Sequence, residues 1–326
     1  MNQPAVLALL GPTASGKTAL ACELVDALRG EFGVELVSVD SALVYREMNI
    51  GTAKPDAAML HRYPHHLINL IAPIEAYSAA DFCRDALAAI AQIHQRGNTP
   101  LLVGGSMMYV KALFEGLSAL PPADAAIRAA IEAEALVSGW PAMHAQLAAI
   151  DPLIALRVSP NDTQRIQRAI EVYRITGAPL SSLQTRAATA RGVGVTPAFD
   201  YPTMTIALLA SERSQLHARI EQRFDLMLRA GLVDEVRGLR ERHQLHPDMP
   251  SMRTVGYRQV WQLLEGEISG GAMREHAVAA TRQLAKRQMT WLRSMQAVER
   301  FDCLTASTPA VVAARTRDWL RALAGR

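Results

Sequence analysis

The hydrophobic pattern divides the chain into three parts. Up to about residue 119, short apolar runs alternate with amphipathic segments. Residues 5–10 form a continuous apolar run that ends at Gly11, the pattern of a buried strand entering a loop. Lys17–Leu28 then has helical character and stops near Gly30. Residues 35–39 are a second β-rich run ending at Asp40, and residues 100–103 a third, ending at Gly104-Gly105. Between them, Ser78-Ala79-Ala80-Asp81 predicts a capping box that opens an amphipathic helix running to Gln95 and closed by Gly97. Strands alternating with helices predict an α/β fold with a mostly parallel, doubly wound sheet.

From Leu120-Pro121-Pro122 to about residue 197 the periodicity is helical only. Ile166, Ala169, Ile170 and Tyr173 fall at i, i+3, i+4 and i+7 and predict one buried helix face, which Gly177 and Pro179 terminate. Strand character returns at residues 204–209, a long helix follows over 211–229 before Gly231, and the remainder reads as helical. The predicted organisation is a core built from 1–119 and 201–326, an all-helical insert at 120–200 and a helical C-terminal region. No internal repeat is visible, and the only loose stretch is near 186–202.

Composition narrows the function classes. Half of the 326 residues are hydrophobic, enough for a sizeable core, yet no apolar run reaches the length that spans a bilayer. Met1-Asn2-Gln3-Pro4 lacks the basic start and cleavage site of a signal peptide. Cys22, Cys83 and Cys303 are few, far apart and odd in number, which points to a reducing compartment and excludes a zinc ribbon or a disulfide framework. A cytoplasmic protein without a membrane partner is expected. The net charge of +3 permits an acidic partner such as RNA without demanding one. His65-His66 has no third ligand at metal spacing.

Gly11-Pro12-Thr13-Ala14-Ser15-Gly16-Lys17-Thr18 fits G-x-x-x-x-G-K-[ST] between a predicted strand and a predicted helix. Glycines let such a loop curl its N–H groups toward phosphate oxygens, and the helix opening at Lys17 adds its positive end. Lys17 supplies a point charge, and Thr18 a hydroxyl for Mg²⁺. ATP is the usual ligand of this loop, but any diphosphate satisfies the same donors. Asp40 stands at the carboxyl end of the second strand, the edge where open α/β sheets bind ligands. It suits a Mg²⁺ ligand, a general base or an N-cap. Gly104-Gly105-Ser106 is the matching feature on the third strand, with Ser106 either a helix cap or a group that meets substrate.

Read together, these strand ends resemble the tRNA dimethylallyltransferases, also called tRNA isopentenyltransferases. Further segments in family order are Val39-Asp40-Ser41-Ala42-Leu43-Val44-Tyr45, Ile50-Gly51-Thr52-Ala53-Lys54-Pro55, Pro64-His65-His66-Leu67, Val103-Gly104-Gly105-Ser106-Met107-Met108-Tyr109, Gln164-Arg165-Ile166-Gln167-Arg168 with Glu171, and Arg253-Thr254-Val255-Gly256-Tyr257-Arg258. The resemblance spans residues 9–293. Ser106 stands where many relatives have Thr, Leu43 where many have Gln and Asn69 where Asp is common; the zinc finger of eukaryotic relatives is absent.

The resemblance implies a P-loop NTPase-like core, a helical insert that grips the anticodon arm and a Mg²⁺-dependent reaction. The donor is dimethylallyl diphosphate, and the acceptor is the exocyclic amine of the adenosine just 3′ of the anticodon. Asp40 is then the general base, with Ser106 and a cation from Arg219 or, preferably, Arg223 completing the catalytic set. The expected tRNA contacts are Asp40, Ser41, Ala42 and Leu43; Arg128, Gln164, Arg165, Ile166, Gln167 and Arg168 in the insert; and Arg253, Thr254, Val255, Gly256, Tyr257 and Arg258. In this expectation Arg165 and Arg168 point away from the apolar helix face, Gly256 permits close approach and Tyr257 stacks on a base. Met107 and Met108 are placed to line a prenyl pocket. In the last long helix, Arg282, Lys286 and Arg293 form a basic side and Leu284, Trp291 and Met295 an apolar one. A monomer is expected. A P-loop kinase of a small molecule, with Asp40 as the base for a hydroxyl, is the competing reading, and ATP turnover discriminates between the two.

Overall fold

The computed structural model describes residues 4–117, 120–189 and 199–325. It contains a six-stranded parallel sheet in the order β3-β2-β4-β1-β5-β6. The strands are β1 (Val6–Leu10), β2 (Val34–Val39), β3 (His65–His66), β4 (Thr99–Gly104), β5 (Thr203–Leu209) and β6 (Glu299–Asp302). Every residue of β1 is buried, as a central strand covered on both faces requires. In register, Leu10 lies opposite Gly104 and Ala207, and Val39 opposite Gly104. The carboxyl ends of β1, β2, β4 and β5 therefore finish along one edge.

The chain forms two compact units: Met1–Ala112 with Asp200–Arg326, and Leu113–Phe199. In the first, Leu7, Leu9, Leu36, Leu101 and Ile206 of the sheet pack with Leu20, Leu24 and Leu28 of helix Lys17–Leu28 and Val312 and Leu320 of helix Thr308–Ala324. Each such burial contributes about 1.5–3 kcal/mol relative to exposure. A second cluster joins Val44, Tyr45 and Met48 to Leu216, Ile220 and Phe224 of helix Arg213–Arg229 and to Tyr257, Met273 and Met289. In the second unit, Ile131, Met143, Leu147, Ile166, Ala169, Ile170 and Val172 form a helical core.

The Ser78–Asp81 capping box is present, and its helix runs Ala79–Gln95. Two strands escape the sequence pattern. β6, Glu-Arg-Phe-Asp, lies at a sheet edge, where charged side chains are tolerated and the apolar signal is lost. β3 is only two residues long, so His65-His66 is edge backbone paired with β2. Tyr173 is 36% exposed, so the buried face of helix Thr163–Thr176 is Ile166, Ala169 and Ile170 without it. In helix Gly270–Ser294 the buried stripe is Ala285, Gln288, Met289 and Leu292, not Leu284, Trp291 and Met295, which are partly exposed. The loose stretch expected at 186–202 lies mostly outside the described residues. No helix among the described residues is long and apolar enough to cross a membrane.

Candidate active site

The loop between β1 and helix Lys17–Leu28 is shaped by its backbone. Ala14 and Gly16 both have positive φ, 63° and 81°, which turns successive peptide units into a concave nest. Gly11 has no space for a side chain: a Cβ would lie 2.6 Å from Ser15 Oγ and 3.2 Å from Leu208 Cβ. Its N–H donates to Gly104 O at 3.1 Å, pinning the loop to β4. Lys17 Nζ donates to Pro12 O at 3.3 Å and so curls over the loop. Burial pulls the Lys17 ammonium down to about 8, against the raising effect of Asp40, and Arg223 lowers it further. Thr18 is half-buried.

Asp40 follows β2 and is oriented by its own turn: Oδ1 accepts the Ala42 N–H at 2.8 Å. Ser106, after β4, accepts the Ser41 N–H at 2.9 Å, and its Oγ lies 3.2 Å from Ser41 Oγ. The close approach of the two strand ends explains Gly104, where a Cβ would fall 2.0 Å from Val39 O. Leu43 O accepts the Asn69 N–H at 3.1 Å. Asn69 has φ 58°, a conformation asparagine tolerates, and its Oδ1 accepts Lys54 Nζ at 2.6 Å. Met107 is half-buried, whereas Met108, two residues past Ser106, is 72% exposed.

Of the two candidate cations, Arg219 donates to Cys303 O at 3.3 Å and is exposed. Arg223 instead feels the charges of Lys17 and Asp40. Burial lowers its guanidinium from the ordinary value while Asp40 opposes the shift. Arginine remains charged under such conditions. The site thus gathers two desolvated cations, one carboxylate and two hydroxyls at the carboxyl edge of the sheet, where an anion with several oxygens fits.

The remaining predicted contacts separate into exposed and buried. Arg253 and Arg258 are exposed, and Thr254 and Val255 are half-buried. Tyr257 is fully buried and cannot stack on a base in this conformation. Its hydroxyl donates to Glu235 Oε1 at 2.5 Å, and its ring fills the space a Cβ at Gly51 would need, 2.4 Å away. Gly256 is buried and serves at φ 94° as the cap of helix Tyr257–Leu264.

In the second unit Ile166 is 0% exposed and belongs to the core, so it is removed from the contact set. Arg128 and Arg168 are each tied down by an ion pair, with side chains 41% and 29% exposed. Both bind the fully buried Glu171, with Arg128 Nε–Oε1 at 2.8 Å and Arg168 Nη1–Oε2 at 2.7 Å, and Arg168 also reaches Pro121 O at 2.7 Å. Burial pushes the Glu171 carboxyl up, but the two arginines and the Asp124 N–H outweigh it and hold the carboxyl below its ordinary value. Gln167 donates to Glu132 at 2.8 Å. Arg165, with a side chain 72% exposed and 3.4 Å from Asp162, and the exposed Gln164 remain outward.

Two residues outside the sequence-based set organise the first unit. Glu235 accepts the N–H groups of Asn49, Ile50 and Gly51 at 2.9, 2.7 and 3.2 Å besides the Tyr257 hydroxyl. It fastens the segment that carries Lys54 to the start of the Tyr257 helix. Gln288, 8% exposed, is the polar member of an otherwise apolar stripe. That interruption is the signal available in the sequence; Glu235 offers none beyond its place in a first helical turn.

A sequence profile described as IPP transferase matches residues 43–295. The chain is 54% identical over 93% of its length to the tRNA dimethylallyltransferase of Thiobacillus denitrificans, 93% of which is covered. It is 56% identical to that of Ralstonia pickettii, with 93% and 92% of the two chains covered. Among solved structures it resembles the full-length tRNA isopentenylpyrophosphate transferase of Bacillus halodurans, at TM-score 0.69, 33% identity and 98% coverage of both chains. It also resembles a eukaryotic dimethylallyltransferase acting on tRNA, at TM-score 0.74 and 25% identity, covering 97% of this chain and 78% of that one. The chain belongs to the IPP transferase family.

Proposed function

We propose that this chain transfers the dimethylallyl group of dimethylallyl diphosphate to the exocyclic amine of the adenosine 3′ of the anticodon in tRNA, with Asp40 taking the amine proton. The observation that carries the assignment of roles is the grouping of Lys17, Arg223, Asp40 and Ser106 around the strand ends.

The amine lone pair is delocalised into the adenine ring, so it attacks poorly until its proton begins to leave. As the C–N bond forms, the bond from the prenyl carbon to the diphosphate oxygen breaks, and the amine proton passes to Asp40. A base so placed contributes about 10²- to 10⁴-fold. The Ala42 N–H fixes one Asp40 oxygen and leaves the other to face the amine. Negative charge grows on the departing diphosphate. The nest at Ala14 and Gly16, Lys17 and Arg223 meet that charge in a partly desolvated setting, where fixed cations act strongly. Ser106, held by Ser41, offers its hydroxyl to a nearby oxygen.

Mg²⁺ is proposed as the counter-ion of the diphosphate. Such ions take a few protein oxygens and complete their shell with substrate phosphates and water, and Thr18 at the helix start supplies a hard oxygen where the diphosphate would sit. When bound, the ion would neutralise charge on the leaving diphosphate.

Arg165, Gln164, Arg253 and Arg258 are the exposed groups proposed to meet tRNA. The target base must leave its stack, at a cost of a few kcal/mol. We place the reaction in the cytoplasm, where tRNA is found. The test is diphosphate release. It should require both tRNA and dimethylallyl diphosphate and proceed without ATP; phosphate transfer from ATP to a small molecule would instead establish the kinase reading.

A further inference from the structure

Gln288 spans the site's two halves. Its Oε1 accepts the Thr13 N–H at 2.9 Å, and its Nε2 donates to Gly105 O at 2.8 Å. One planar amide therefore joins the phosphate loop to the loop that carries Ser106. The fit leaves no slack: a Cβ on Gly105 would lie 2.6 Å from Gln288 Nε2 and 2.8 Å from Gly11 O. Beyond Gly105 the chain of contacts continues, because Gly105 N and Ser106 N both donate to Val39 O at 3.2 Å, next to Asp40. Helix Gly270–Ser294 supplies the anchor, since Ala285, Met289 and Leu292 bury the same face.

Two consequences follow from the chemistry. The Thr13 N–H is committed to Gln288 and is withdrawn from the donors that meet the diphosphate. The separation of the phosphate loop from Ser106 is set by a side chain that must accept at one end and donate at the other. We propose that Gln288 is a positioning residue that holds the diphosphate cradle in register with the Ser41–Ser106 pair. The proposal rests on the prenyl-transfer reading only for its rate prediction, because the cradle itself can be probed with inorganic pyrophosphate.

Gln288→Leu removes both hydrogen bonds at similar size. Gln288→Glu keeps the acceptor toward Thr13 but sets a carboxylate oxygen against Gly105 O; protonation of that carboxyl restores a donor. Misplacement of this kind costs about ten- to a hundredfold in rate. Near pH 8 both variants should lose that much in transfer, weaken inorganic pyrophosphate binding severalfold and keep parental tRNA affinity. Burial beside the Gly105 carbonyl raises a carboxyl at this position, so lowering the pH should move the Gln288→Glu rate toward the parent while that of Gln288→Leu stays flat. Folding is checked by thermal unfolding of both. Parental rate and pyrophosphate affinity in a folded Gln288→Leu would overturn the proposal, as would a folded Gln288→Glu that matches the parent in both near pH 8. A parent that binds pyrophosphate but transfers no prenyl group would sink the functional reading instead, and the pyrophosphate comparison would still decide the role of Gln288.

Discussion

Ser106 Oγ accepts the backbone N–H of Ser41 at 2.9 Å, which ties the end of β4 to the residue after Asp40. The hydroxyl, not the shape of serine, makes this link. Ser106→Thr should therefore retain transfer within a few-fold, and Ser106→Ala should lose it by more. A lost neutral hydrogen bond costs about 0.5–1.5 kcal/mol, so a tenfold fall is the expected scale if Ser106 acts only through Ser41. Single-turnover rates of the two variants check this. A larger loss in Ser106→Ala would indicate direct contact with substrate.

Asp40→Ala should slow transfer by about 10²- to 10⁴-fold while leaving tRNA affinity nearly intact. Equal losses of rate and affinity would remove the base role and make Asp40 a binding residue. Asp40→Asn is the useful companion, because it keeps an acceptor for the Ala42 N–H.

Burial holds the Lys17 ammonium down at about 8, so it loses its charge well below the ordinary lysine range. Affinity for dimethylallyl diphosphate should weaken as pH rises through that value, and Lys17→Arg should lack this step. The same lowered value means that the unliganded fold carries the full cost of the buried ammonium below about pH 8 and gains stability from there toward the ordinary lysine value of 10.5. Binding measured across this range, with thermal unfolding alongside, reads both effects.

The sheet was legible because buried parallel strands are apolar runs and the phosphate loop sits between one of them and a helix. The edge strands β3 and β6 were not, since one is too short and the other too charged to leave a pattern. For the site, Lys17, Asp40 and Ser106 could be placed from their positions at strand ends. Burial of Tyr257 could not, because a short motif does not say which side faces inward, whereas the helical spacing that buries Ile166 already spoke against its place among the tRNA contacts. The pairing of Arg128 and Arg168 depends on Glu171, a carboxylate whose burial only the folded insert reveals.

Those arginines should behave differently from the exposed ones. Arg165→Ala and Arg258→Ala should each weaken tRNA binding and flatten its salt slope by about 1, with diphosphate affinity unchanged. Salt titrations of tRNA binding test this, and an unchanged slope would take that residue out of the interface.

Glu171→Ala removes the buried acceptor of two part-exposed guanidiniums and of the Asp124 N–H and should destabilise the chain by about 1–3 kcal/mol. The lowered Glu171 carboxyl contributes stability above its ordinary value of 4.5, which is lost as pH falls through the folded value. Acid unfolding of the parent should therefore show a step that Glu171→Ala lacks, and chemical denaturation measures the difference directly.

Mass analysis of nucleosides from unmodified tRNA, after incubation with the chain, Mg²⁺ and dimethylallyl diphosphate, decides donor, acceptor and reaction together. One adenosine, next to the anticodon on its 3′ side, should be heavier by a dimethylallyl group that replaces a hydrogen. Unaltered nucleosides from a folded, pyrophosphate-binding chain would contradict the proposed transfer.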